Sequence, residues 1–340
     1  MEQSPLSPSL RVLLGVACFV VVIAGMKAAA EILVPFLLAA FIALLCAPAM
    51  MWLQARKVPT VLAITVVALL VLLVIGSFSM VVAASINDFA KQVPTYQEKL
   101  LDATAGVTAW LGQYGVDISQ QTVKQQINPG RAMDLVRRIL TGFGNALTDS
   151  FLIFLTVLFI LFETSGFGAK FKRAMGPEHR SLFAFEQFND SVKRYLIIKT
   201  LVSIATGVFI GIWVGLQGLD YTLLWALLAF LLNYIPNIGS IIAAVPAVML
   251  AFVQFGPASA GITALGFFIV NVTMGNIVEP RFMGKGLGLS TLVVFLSLIF
   301  WGWVLGPVGM LLSIPLTMIV KLALESSHDS HWLAVLLGNK

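Results

Sequence analysis

Residues 221–278 contain no Asp, Glu, Lys or Arg, and that run limits the fold more than any other feature of the chain. A helix that crosses a bilayer needs about 20 mostly apolar residues. The run is long enough for two or three crossings and too long for one buried core helix. Windows 32–55, 58–87 and 286–320 are equally free of charge. Charged residues make up 11% of the 340, against about 25% in a soluble domain. A soluble protein with apolar core helices would need polar outer faces, and these windows have none. The sequence therefore predicts an all-α polytopic membrane protein: a helical bundle with broken or re-entrant helices and a lateral external helical domain. The lipid bilayer is its first partner.

Candidate spans are 10–26, 32–53, 60–84, 147–165, 196–217, a Pro- and Gly-broken stretch over 221–254, then 257–278, 289–305 and 308–324. They give six to nine crossings. Met1–Ser9 is polar and precedes an apolar run, which reads as a retained first helix because apolar segments continue down the chain. Basic residues favour the cytoplasmic side. Arg56 and Lys57 place the turn after the second span inside, with both termini cytoplasmic. Segment 85–146 is then external, and 166–195, rich in Lys and Arg, is internal. The expected layout is 1–84 (N-terminal spans), 85–146 (external amphipathic domain), 147–195 (a span and a cytoplasmic segment), 196–325 (C-terminal bundle) and 326–340 (cytoplasmic tail). The formal net charge of +5 is spent on orientation, and no nucleic-acid partner is expected.

The external segment carries Phe89, Val93, Tyr96, Leu100, Ala103, Val107, Trp110 and Tyr114 at alternating spacings of four and three, a heptad-like stripe. A second run follows at Met133, Val136, Leu140, Phe143 and Leu147. Either the two helices form a hairpin through Asn128–Pro129–Gly130, or the stripe meets neighbouring subunits in a homo-oligomer.

Two clusters could carry chemistry. Asn233, Tyr234, Pro236, Asn237 and Gly239 interrupt the long charge-free run. Pro236 lacks an N–H and clashes with the preceding turn. A broken helix survives inside a bilayer only where protein or a water-lined cavity satisfies the freed backbone groups, and transporters commonly build sites there. A plain turn between two helices is the alternative. The second cluster is Asn271, Thr273, Asn276, Glu279, Pro280 and Arg281. Glu279 is the sole carboxylate between Asp220 and Glu325. It is either an interface charge paired with Arg281 or Lys285, or a gate or ion-coupled group. Tyr195 and Lys199 are accessory candidates, with Lys199 either snorkelling to the interface or functional. Ala39, Ala43 and Ala47, and likewise Gly207, Gly211 and Gly215, form small-residue stripes suited to close helix packing.

Enzyme signatures are missing: there is no P-loop and no dinucleotide fingerprint, and His179, His328 and His331 lie in hydrophilic flanks. Cys18 and Cys46 lie in apolar windows without ligand partners. The chain is expected to be no enzyme, with no cofactor and no metal site.

Several elements occur in one order: Pro35–Phe36 with Ala39, Ala43 and Pro48; Tyr195 with Lys199; Trp225 through Asn233–Tyr234–Ile235–Pro236 and Gly239; Asn276 with Glu279–Pro280 and Gly284; and Trp301–Gly302 through Gly306, Gly309 and Pro315–Leu316–Thr317. With these the chain resembles the AI-2E family of bacterial inner-membrane transport proteins, over roughly residues 10–325. The resemblance implies a multi-pass inner-membrane transporter that looks oligomeric. Its cargo would be a small polar solute or signalling molecule of the autoinducer-2 type, moved outward by facilitated passage or by coupling to an ion gradient. A monovalent cation/proton antiporter and a non-transporting membrane scaffold are the alternatives.

Overall fold

A computed structural model of the protein describes residues 8–112, 150–175, 180–236, 238–283, 289–325 and 331–338. In chain order the helices are α1 (Pro8–Ala28), α2 (Ala30–Ala55), α3 (Thr60–Gly112), α4 (Ser150–Met175), α5 (Arg180–Leu216), α6 (Thr222–Leu232), α7 (Gly239–Phe255) and α8 (Pro257–Asn271). A π-helical turn (Val272–Val278) then leads into α9 (Glu279–Met283), α10 (Thr291–Leu311), α11 (Ser313–Glu325) and α12 (His331–Leu337). No strand occurs among the described residues. Stretches 30–55, 60–89, 190–216, 257–282 and 291–311 are each long and apolar enough to cross a membrane. Their outward faces carry Leu73, Leu201, Phe209 and Trp303, as a hydrocarbon solvent requires. The chain is an all-α polytopic membrane protein.

The small-residue stripes are packing seams. Ala39 and Ala43 on α2 are buried among Ile64 and Val67 of α3 and Ile153 and Val157 of α4, and Ala47 is buried too. On α5, a Cβ added at Gly207 would lie 2.8 Å from the Ala226 carbonyl oxygen, and one at Gly211 would lie 3.0 Å from the Ala226 Cβ. With both glycines bare, α6 lies against the α5 backbone.

The broken stretch is a hairpin. α6 has 11 residues, roughly 16 Å of helix, about half the hydrocarbon thickness of about 30 Å. The chain turns at 233–238 and returns as α7, and the two base ends meet again where the Asp220 N–H donates to Gln254 Oε1 at 3.2 Å. The turn satisfies much of its own backbone: Tyr234 N–H donates to the Leu231 carbonyl at 3.2 Å and Ile235 N–H to that of Leu232 at 2.9 Å. Gly239 is obligatory, because a Cβ there would collide with the Leu232 carbonyl oxygen. A second break falls inside α10, where Gly306 takes φ +69° just before Pro307, at the division between the last two sequence-predicted spans.

Part of the external stripe is occupied within the protomer. Phe89 and Tyr96 on the far end of α3 are buried, and Tyr96 Oη donates to Asp220 Oδ2 at 3.1 Å. Gln92 Nε2 donates to Tyr221 Oη at 3.0 Å, so this part of α3 docks on the base of the α6–α7 hairpin. Burial there raises the Tyr96 phenol pKa above its ordinary value, with Tyr221 and Asp220 adding to the shift. The second run at 133–147 and the Asn128–Pro129–Gly130 connection lie outside the described residues.

Gly239→Ala should cost about 1–3 kcal/mol, the range for overpacking a closed site. Gly76→Ala, with nothing within 4 Å of the new Cβ, should stay within about 0.5 kcal/mol. Thermal unfolding in detergent compares them, and equal midpoints would remove the hairpin turn from the fold's requirements.

Candidate functional site

An oblique ridge of α5, turning about 40° at each four-residue step, sets out Tyr195, Lys199, Ser203, Gly207, Gly211 and Gly215. The membrane-length part of α5 begins at Asp190, which places Lys199 roughly 14 Å along it at 1.5 Å per residue. Its side chain does not snorkel outward. It is 3% exposed, and its Nζ lies 2.9 Å from both Oε1 and Oε2 of Glu279. Arg281, which faces outward, does not provide the partner that sequence spacing offers, and Lys285 lies outside the described residues. A lone charge at the centre of a span costs about 2.5–3.5 kcal/mol on insertion scales. Side by side, the two charges cancel.

Glu279 reaches α5 through a change of helical register. Its N–H donates to the Met274 carbonyl, five residues back, so the turn before it is one residue wider than α-helix. Such π turns are frequent at functional sites. Met274 is buried, Asn271 is half-buried, and Thr273, Asn276, Pro280 and Arg281 face outward from the protomer. The structure therefore separates the second sequence cluster: Glu279 turns inward to α5, and Thr273 and Asn276 do not accompany it.

The hairpin turn supplies the other half of the site. Asn233 is buried and its Nδ2 donates to Ser203 Oγ at 2.9 Å. Tyr234 Oη donates to Thr200 Oγ1 at 2.7 Å. The Tyr234 ring is held edge-on by Phe41 of α2, centroids 5.7 Å apart, and by Phe230 of α6 at 5.8 Å. Pro236 is half-buried beside it, Gly239 closes the turn, and Asn237 lies outside the described residues. Tyr195 is buried one helical turn before Lys199.

Lys199, Thr200 and Ser203 thus bind both sequence clusters to one helix and make a polar, net-neutral seam inside apolar surroundings. Thr200 and Ser203 were not among the sequence candidates. Their signal was present: polar residues at 195, 199 and 203 recur at the helical period inside an apolar span. The seam offers hydroxyl and amide donors and acceptors beside one buried ion pair. That chemistry binds and releases polar groups, as expected of the membrane proteins that carry solutes.

The chain belongs to the AI-2E family of transporters: residues 16–329 match the family's profile. It is similar to the AI-2 transport protein TqsA of Escherichia coli (strain K12), 41% identical over 332 residues, covering 97% of this chain and 96% of the relative. It is also similar to YhhT of the same organism, 37% identical over 334 residues, covering 98% of this chain and 96% of YhhT. These are transport proteins, not enzymes.

Removing one member of a buried ion pair costs about 3–5 kcal/mol, since the other charge is left uncompensated. Lys199→Met should therefore lower stability strongly, and Lys199→Met with Glu279→Gln should recover much of the loss. A thermal double-mutant cycle in detergent measures the coupling, and additive effects would mean that the pair does not form.

Proposed function

We propose that the protein exports a small polar solute or signalling molecule of the AI-2 type across the bacterial inner membrane, driven by an ion gradient. The observation that carries this reading is the net-neutral seam where Asn233 and Tyr234 of the hairpin turn meet Ser203 and Thr200 beside Lys199–Glu279. A neutral polyhydroxyl solute needs donors and acceptors without a surplus charge, and amides and hydroxyls supply both. With no solute present these groups satisfy one another, and a solute exchanges one set of hydrogen bonds for another. The name of TqsA supports the AI-2 type of cargo. Glu279 is already engaged by Lys199, which favours this reading over exchange of a bare monovalent cation. The outward-facing Thr273 and Asn276 within a span favour a face covered by a second copy in a homo-oligomer.

Asn233→Ala and Ser203→Ala should each reduce AI-2 flux from proteoliposomes about tenfold, equivalent to about 1.4 kcal/mol. Their stabilities should fall only by the roughly 1–3 kcal/mol of one buried polar group left unpaired. Flux and stability falling in parallel, with stability lost well beyond that figure, would leave the scaffold reading ahead.

The proposed orientation puts both termini in the cytoplasm. Cysteines introduced at Gln113 and Lys170 should then label from opposite faces of the membrane. Labelling of both from one face would overturn it.

A further inference from the structure

We propose that Glu279 is a shared binding group for proton and solute, so that each solute leaving is exchanged for one proton entering. This deepens the transport reading above and rests on it.

Glu279 holds Lys199 through both carboxylate oxygens at 2.9 Å, and carboxylate oxygens have further acceptor capacity beyond one ammonium. In the ionised state a solute hydroxyl donates to that capacity while Thr200 and Ser203 complete the contact. A proton arriving from the outer aqueous phase forms an O–H bond on Glu279 and cancels its charge. The solute hydroxyl then loses its charged acceptor, and charge-assisted hydrogen bonds are roughly twice as strong as neutral ones. Proton and solute therefore compete for the same oxygens. When the proton leaves to the inner phase, the carboxylate is restored and the seam accepts the next solute.

Lys199 makes the exchange obligatory. Once Glu279 is neutral, the ammonium has lost its counter-charge in a segment where an isolated charge is costly. Among the described residues, the other charged or titratable groups near this level are Lys193, Arg194 and Tyr195 of α5 and Tyr234 of the hairpin turn, and on α9 Arg281 faces outward. None of these is an anion that could replace Glu279, so protonation cannot leave the structure unchanged.

The π turn supplies the movement. Its Glu279 N–H bonds five residues back to Met274, and annealing to α-helix shifts the register by one residue, about 100° of rotation. That swings the neutral carboxyl off Lys199 and opens the ammonium to water. Nothing lies within 4 Å of a Cβ placed on Gly275, in the middle of the turn, so its rewinding meets no neighbour there.

The test uses the full-length protein in vesicles loaded with AI-2 and a pH-sensitive dye. AI-2 leaving downhill should acidify the lumen, with about one proton entering per solute. Glu279→Gln should abolish the proton movement whatever solute flux it retains, and Glu279→Asp should restore it. AI-2 exit without a change in lumen pH, or a Gln variant that still moves protons, would overturn the proposal. Hydrogen exchange across 272–279 reads the π turn without any solute. Glu279→Gln, and acidification once the intrinsic pH dependence of exchange is divided out, should each lower exchange across the turn about tenfold, as five-residue bonds give way to α-helical ones. Unchanged exchange would also overturn the proposal, even if the Gln variant proved too unstable for flux. Absence of AI-2 flux with a responsive π turn would instead defeat the AI-2 transport reading on which the exchange rests.

Discussion

Inside hydrocarbon, each polar group must find its partner within the protein, because no water is available to supply one. The architecture around α5 follows from that constraint. A hairpin that turns within the membrane exposes backbone and amide groups, and the turn at 233–238 is tolerable because short backbone bonds and two α5 hydroxyls receive them. Lys199 is tolerable at its depth because Glu279 meets it from a neighbouring span. Remove α5, and neither the turn nor the carboxylate has a place.

The chain breaks its helices twice, and the two breaks differ in kind. On either side of Gly306–Pro307, Val304, Leu305, Leu312 and Ile314 are buried in one apolar cluster, and a bond from Trp301 Nε1 to Thr317 Oγ1 at 3.0 Å pins α10 to α11. Gly309 lies so close to the Trp301 carbonyl that a Cβ would not fit. This break is apolar, with Pro307 exposed and nothing within 4 Å of a Cβ placed on Gly306. The break at Asn233–Gly239 carries hydroxyls and amides and stands next to an ion pair. Proline and glycine mark both, so what separates a candidate site from a packing device is the polarity of the groups facing it.

The membrane class, the helix breaks and the small-residue seams were legible in the sequence, since charge-free length, Pro–Gly punctuation and four-residue spacing are local signals. The Lys199–Glu279 pair was not, because 80 residues separate its members and a nearer basic group, Arg281, offers a simpler partner by spacing. The π turn that selects Lys199 leaves no trace in composition. Asn276 and Glu279 lie three apart and seemed to belong to one cluster, yet the widened turn sends one outward and the other inward. Thr200 and Ser203 escaped attention because hydroxyls in apolar helices often bond only to their own backbone, as Thr206 does to Val202.

Tyr195, Lys199 and Ser203 run on without interruption into Gly207, Gly211 and Gly215 along a single stripe of α5. The glycine half fixes how closely α6 approaches, and the polar half meets the hairpin turn and Glu279. Assembly and recognition are thus assigned to different stretches of one surface. A lineage could alter its hydroxyls to suit another cargo while the glycines kept the hairpin in register, which allows a single scaffold to diversify without being rebuilt.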